Sequence, residues 1–413
     1  LGREARKRAW GPGRIALIAG AAVIALVIGA VQIAPLSAYA PQLEKLASDR
    51  LGEPVRIGAV HASVFPGFHL KLEQVTIGKQ QDVRVPSVVA YMDIGSVFGA
   101  EKVITTLEID QLQATQEVLA RLPRWLAGPD VKAQSVQVQK IVLKAAKLDV
   151  KGAALPTFNA RLFLAQDGSL RRATVTSTDG RFDAEIVPSD SGPEAEVSAR
   201  LKNFTLPLGP GLELTEGTAR GVLSGNQLRM NELDLFLYNG QAKGQLVATW
   251  GSSWNLEGAF DLKRIELEAA MKALKIEISS GGLLDAKGRF AMQASSLDAL
   301  FDSPRVDSTF TVQKGDLSGF DFVRALQSPR RDGVQGGKTR FEELSGAFNL
   351  AGGRYTYSNA RLTAGLLAAS GGCEVLPNKD INGRAYVELR SSSNVVKNTF
   401  RITGTLKAIV LKP

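Results

Sequence analysis

The chain has 413 residues, a net charge of +9, 44% hydrophobic and 22% charged residues, which is the balance of a folded protein and excludes a disordered one. A single cysteine, Cys373, excludes an internal disulfide and a multi-cysteine metal site, and His61 and His69 are the only histidines. Arg3, Arg6, Lys7, Arg8 and Arg14 stand against Glu4 at the N-terminus and the rest of the positive excess is thinly spread, so the dense basic patch of a nucleic-acid-binding protein is missing.

Residues 1–14 read as a basic cytoplasmic tail. Ile15 to Ala34 (IALIAGAAVIALVIGAVQIA) follows without a formal charge, its apolar surface supplied by Ile15, Leu17, Val23, Leu26, Ile28 and Val31. About 20 such residues cross a hydrocarbon core. Basic residues on its N-terminal side alone put the N-terminus in the cytoplasm and everything after Ala34 across the membrane. A cleaved signal peptide is the rival, because Ala38-Tyr39-Ala40 fits the small-x-small cleavage pattern. The length of the apolar run, and Pro41 directly after the cut, favour a retained anchor. Ala21, Ala25 and Gly29 share one helical face, where a second helix can approach closely; an Ala-rich span produces the same spacing.

Pro41 to Leu51 places Leu43, Leu46, Ala47 and Leu51 at helical spacing, with Pro41 in the first turn and Gly52 at the closing position. This short amphipathic helix either lies on the bilayer or plugs the end of a sheet. Period two then takes over. Val55, Ile57 and Ala59 alternate with polar or turn residues, Pro66-Gly67 makes a turn, and Phe68, Leu70 and Leu72 alternate with His69, Lys71 and Glu73, with an irregularity at Gln74. Alternation recurs in Val103–Leu112, Ser135–Leu143 and Phe158–Thr176. Turn signals stand at Asp167-Gly168, Asp179-Gly180, Gly225-Asn226, Asn239-Gly240 and Gly352-Gly353. Their spacing predicts an up-and-down antiparallel meander. Helices are expected only at Gln116–Leu126, Lys263–Lys275, Ser296–Phe301 and Phe320–Leu326; Pro188–Pro193 and Ser328–Lys338 read as loops. A hairpin unit echoes itself, Gly221 to Leu235 against Gly346 to Leu362, each with a polar residue in the middle of its second strand.

Chemical sites are sparse. Gly333–Thr339 (GVQGGKT) has its first glycine one residue too close for a phosphate-binding loop and lacks the flanking strand and helix, so it reads as a flexible basic loop and no nucleotide is expected. His61 and His69 straddle a turn without other ligands at metal spacing, and no nucleophile pattern makes either part of a triad. Cys373 reads as a half-buried strand residue without a partner thiol. Trp125, Trp250 and Trp254 read as core or groove residues. No enzyme activity, metal or cofactor is expected.

The order of these segments resembles the AsmA family of Gram-negative inner-membrane proteins. The residues that carry the likeness are Leu51-Gly52, Pro54-Val55, Ile57, Val64-Phe65-Pro66-Gly67 and Val75 with Ile77-Gly78. Near the other end they are Gly281-Gly282-Leu283-Leu284 to Met292, Gly315-Asp316-Leu317 and the last strand Phe400–Leu406. Residues 122–212 carry little of it. The resemblance implies a single-pass inner-membrane anchor, a periplasmic body, a role in outer-membrane lipid homeostasis, and the repeating β-groove of bridge-like lipid transfer proteins such as TamB and YhdP. It divides the exported part into residues 41–130, which start the groove, and 131–413, which continue it.

The fold class expected is therefore mostly β: an N-terminal transmembrane helix and then an elongated, curved antiparallel sheet with a few short helices. Alternate side chains of such a sheet line its concave face, where phospholipid acyl chains can lie; the same alternation serves a β-sandwich. The groove-facing candidates are Val55, Ile57, Phe68, Leu70, Leu72, Phe400, Ile402, Leu406 and Val410. Some 18 to 20 strands at about 4.8 Å would reach roughly 90 Å. That reach implies a periplasmic or outer-membrane protein partner, an oligomer, or a regulatory role near the inner membrane. The alternative function is a periplasmic scaffold that modulates outer-membrane protein assembly without carrying lipid.

Overall fold

Alternation at period two builds strands from Val55 onward, and 66% of the residues lie in strands. The computed structural model describes residues 40–65, 67–97, 102–121, 136–189, 192–274, 276, 280–327 and 331–413. The expected anchor at 15–34, the basic tail and Trp125 lie outside the described residues. Among the described residues no helix is long and apolar enough to cross a membrane. The chain forms two compact units, one running to Asp149 with Thr157–Ala173, the other comprising Val150–Pro156 and Thr174–Pro413. Residues 136–149 and 158–164, beyond the expected division at residue 130, belong to the first unit.

In that first unit β1 (Val55–Arg56) and β2 (Ala59–Ser63) run along one side of β3 (His69–Ile77). β3 pairs with β4 (Val83–Met92), and β4 with β5 (Lys102–Asp110) and β6 (Gln113–Thr115), all antiparallel. The next step is parallel. β7 (Val136–Val138) pairs with β5, and β8 (Lys140–Asp149) with β5 and β6, before β9 (Phe158–Leu164) returns antiparallel to β8. This corrects the expectation of an unbroken meander. Parallel neighbours need a crossover of a dozen or more residues, and residues 116–135 supply one. The helix expected at Gln116–Leu126 is a short 3-10 turn over Gln116–Ala120, and residues 122–135 lie outside the described set. The irregularity expected at Gln74 is present as a left-handed residue, φ 53°, that keeps Leu72 and Val75 on one face.

Helix α1 (Ala40–Leu51) ends at Gly52, whose φ of 67° suits glycine. Ala40, Leu43, Ala47 and Leu51 pack on a core that includes Val55, Ile57, Val60, Val83 and Val85. Ser48 Oγ accepts the Val55 N–H at 2.9 Å and Glu44 Oε1 the Ile57 N–H at 2.7 Å. Of its two expected placements, α1 therefore takes the plug over the end of the sheet. Arg121 Nη1 donates to Asp82 Oδ2 at 2.8 Å and Glu53 Oε2 at 2.9 Å, which pairs the nearly buried Asp82 carboxylate. A one-turn α2 (Ile94–Val97) links β4 to β5.

β10 (Leu170–Ser177) straddles the division. The second unit then adds β11 (Phe182–Pro188), β12 (Glu194–Thr205), β13 (Glu213–Ser224), β14 (Gln227–Leu237), β15 (Gly240–Thr249), β16 (Trp254–Glu266), β17 (Ser280–Ala294) and β18 (Arg305–Ser318). From β11 on, each pairs antiparallel with the next. Helix α3 (Leu267–Ala273) interrupts β16 and β17; its first expected turn, from Lys263, is still strand. After β18 the chain forms α4 (Phe322–Gln327) and β19 (Val334–Gln335) before β20 (Lys338–Ala351) pairs with β18. β21 (Arg354–Ala364), β22 (Leu367–Val375), β23 (Ile381–Arg390), β24 (Val395–Thr405) and β25 (Ala408–Lys412) complete the meander, and β19 closes on β25.

Expected turn glycines sit between strands with positive φ at Gly168, Gly180, Gly225 and Gly352. The echo between Gly221–Leu235 and Gly346–Leu362 is a repeated bulged hairpin. Its mid-strand polar residues, Asn231 with Glu232 and Ser358 with Asn359, are the extra residues that let the apolar partners stay on one face. Ser296–Phe301, expected as a helix, is turns.

The stretch expected as a flexible loop, GVQGGKT, is tied down. Val334 and Gln335 form β19, the Thr339 hydroxyl donates to Phe320 O at 2.7 Å, and it accepts the Phe322 N–H at 3.2 Å. Thr339 belongs to no phosphate-binding loop; it is nearly buried and holds down α4.

Candidate functional site

In an antiparallel pair, directly opposed residues share a face, so register alone assembles the inner surface of the second unit. Across β11 to β17 one row runs Phe182, Leu201, Gly217, Leu235, Ala242, Leu262, Ala286. The next runs Ala184, Ala199, Ala219, Leu233, Gly244, Phe260, Gly288. Then come Ile186, Val197, Gly221, Met230, Leu246, Gly258, Phe290, and finally Pro188, Ala195, Leu223, Leu228, Ala248, Leu256, Met292. No polar side chain interrupts these four rows.

Large side chains lie flat over neighbouring glycines. A Cβ on Gly258 would meet Phe290 Cζ at 2.7 Å, one on Gly288 would meet Phe260 Cζ at 2.8 Å, and one on Gly217 would meet Leu235 Cδ2 at 2.9 Å. Glycine is therefore required there by close approach, and the floor it leaves is smooth. Most of these side chains remain partly exposed, among them Leu233, Leu246, Leu256, Phe260 and Phe290.

The opposite face is charged. Asp234, Lys243, Asp261 and Lys287 stand in register, with Lys243 Nζ 3.7 Å from Asp234 and Lys287 Nζ 3.0 Å from Asp261. Exposed pairs of this kind add little stability, but they keep that face in water. Two shallow clefts of about 590 and 510 Å³ open among polar side chains such as Arg384 and Arg401, or Glu185 and Arg220.

The strip is roofed along one long edge. Leu214, Leu237, Ile265 and Ala270 of α3 form a buried cluster against which Leu201, Leu235, Ala242 and Leu262 pack. Towards the C-terminus much of it is covered. Phe320, Phe322, Ala325 and Leu326, with Val334, pack in one core with Val387, Phe400, Ile402, Ile409 and Leu411.

Expected groove residues fall accordingly. Phe400 is 1% exposed and Ile402 4%, both packed in this closed core, with Leu406 against it. They are core residues, because a segment inserted between β18 and β20 folds over them. Val410 faces the other way: opposite Ile402 and Gly404 stand Leu411 and Ile409, so the inward residues of β25 are those two. Val55 and Ile57 are buried beneath α1 and Leu72 packs on the same core. Leu70, between Ala62 and Ala90, and Phe68 stay partly exposed. Apart from Trp254, which read as a core or groove residue, no residue of β11–β17 was singled out as groove-facing, although Glu194–Lys202 alternates strictly. The missing signal was glycine alternating with large apolar residues across strands, which only register reveals.

His61 Nε2 lies 4.0 Å from Glu73, and His69 Nδ1 lies 2.8 Å from Gly67 O. Among the described residues no group of histidine, cysteine and acidic side chains is gathered at metal-binding distance. Cys373 and Tyr357 are cross-strand partners on the inner face. Burial pushes the thiol up to about 11 and, with the thiol beside it, the phenol up to about 12, so both stay protonated and unreactive at neutral pH. Comparison with protein-family models, curated proteins and solved structures finds no match to this chain.

Proposed function

We propose that the chain is a membrane-anchored lipid-handling protein of the AsmA type, whose β11–β17 strip binds phospholipid acyl chains during outer-membrane biogenesis. The observation that carries this reading is the strip itself: four apolar rows across seven paired strands, three of which lie outside the α3 cluster with most of their large side chains partly exposed. Backbone groups there are engaged in the ladder, so an acyl chain meets no unpaired donor or acceptor. Each methylene fully removed from water contributes about 0.8 kcal/mol, and a floor without pockets lets a chain shift along it at little cost. The anchor at 15–34 and its basic flank support inner-membrane placement with the body in the periplasm. The segments at Leu51–Gly78 and Phe400–Leu406 support the family.

The closed C-terminal end of the strip favours a shorter path than a groove running the whole length. Lipid leaves the strip sideways, to a membrane, a partner protein or a second copy. The test is purification of the full chain without added lipid, followed by lipid mass spectrometry. Wild type is expected to carry phospholipid, and Phe260→Asp to lose it while remaining folded. A wild-type preparation free of lipid would leave the non-transporting scaffold as the better reading.

A further inference from the structure

The two long edges of the β11–β17 strip differ in chemistry, and the difference orients a ligand. One edge is the apolar roof of α3 with Leu214, Leu237 and Ile265. The other ends in hairpin turns, where Trp250 and Trp254 stack with ring centroids 6.3 Å apart. Trp254, opposite Ala294, continues the inward row of Leu256 and Met292. Beside the pair the Asn226 amide donates to Trp250 O. The next register row, Ser224, Gln227, Thr249, Asn255 and Gln293, is polar and uncharged but faces the other side of the sheet. Indole rings are the chemistry of a boundary between hydrocarbon and water.

Width agrees with this. From Leu256 to Leu262 along β16 is six residues, about 20 Å. One acyl chain spans about half of a hydrocarbon core of ~30 Å, or roughly 15 Å. A chain laid across the strip, parallel to the strands, fits between the tryptophans and the roof. A protein partner suits the floor less well, because the side chains that flatten over glycine leave no holes for knobs.

Resting on the reading above, we infer that bound glycerolipids lie crosswise on the strip, with the ester end at Trp250 and Trp254 and the methyl end under α3. Lipids load and leave over the tryptophan edge, since the roof closes the other.

The test uses the full chain with Trp10→Phe and Trp125→Phe, so that the pair alone emits. It is mixed with phosphatidylcholine brominated near the carboxyl end or near the methyl end of its chains. The first lipid is expected to remove most of the emission and the second little. A second reporter, Leu262→Trp with Trp250→Phe and Trp254→Phe added, is expected to show the reverse order. Equal quenching by the two lipids, or the reverse order at the native pair, overturns the orientation while leaving lipid binding intact. Quenching by neither lipid, with an oligomer that Phe260→Asp dissociates, makes the strip a self-association surface and overturns both readings.

Discussion

Phe400→Asp and Phe260→Asp make the same chemical change on the same face of the same unit, and the structure assigns them different outcomes. Phe400 is 1% exposed beneath the segment that carries α4. Truncating such a side chain costs about 3–5 kcal/mol, and a carboxylate left there has no partner, which adds several kcal/mol more or forces its protonation. The total exceeds about 5 kcal/mol, comparable with the whole stability of a domain. Phe260 lies partly exposed over Gly288 on the open strip. Full burial of a phenylalanine contributes about 1.5–3 kcal/mol. A part-exposed ring loses less than that, and an aspartate there reaches water, so the expected cost is about 1 kcal/mol. In a unit of this size that lowers Tm by about 2–4 °C. Thermal melting followed by circular dichroism reads both: Phe400→Asp is expected to lose the cooperative transition of the second unit and Phe260→Asp to keep it. Comparable destabilisation by the two would mean that the strip at Phe260 is covered, and the reasoning from exposure to lipid binding would fail with it.

Two further outcomes follow from the closed end. Thr339→Val keeps the shape but strips Phe320 O and Phe322 N of their partner; at about 1–3 kcal/mol for each buried group left unpaired, the expected loss is about 2–6 kcal/mol. Hydrogen exchange is expected to speed up over residues 320–327, and Thr339→Ser to restore protection. Stability is also expected to fall in alkali. Cys373 and Tyr357 hold their protons in the folded state up to about 11 and about 12, against 9.0 and 10.0 when unfolded. The unfolded chain therefore binds fewer protons above pH 9, and stability declines from there towards pH 12. Denaturant titrations at pH 8 and pH 11 check this; Cys373→Ala is expected to reduce the difference, and an unchanged midpoint would contradict it.

Much of the β architecture was legible because its signals are local. Strict alternation marks strands, glycine with Asp or Asn marks hairpin turns, and Gln74 interrupts the pattern where the strand is bulged. The polar residues in the echoed hairpins stood out for the same reason, since a bulge needs its extra residue at one place in the strand. The parallel step between β5 and β8 was not legible. Alternation is blind to strand direction, and the connection that permits it carries no strong pattern of its own. Val410 stands opposite Thr403, not among the inward residues, because the two-residue turn between Thr405 and Ala408 puts the even-numbered residues of β24 opposite odd-numbered ones of β25, with Leu411 opposite Ile402.

By itself the sequence determined that one face of each strand is apolar and the other polar, and where the chain reverses. It named Phe400 as a groove residue and passed over Phe260, although both are aromatic residues at apolar positions of strands. Only the tertiary structure decided that Phe400 is core and Phe260 is surface. The reason is that burial of a sheet face depends on what folds over it, and the covering segment is joined to the sheet between β18 and β20, far along the chain from the strands it covers. Local pattern records the face a side chain points to; the occupant of that face is fixed by contacts between distant parts of the chain.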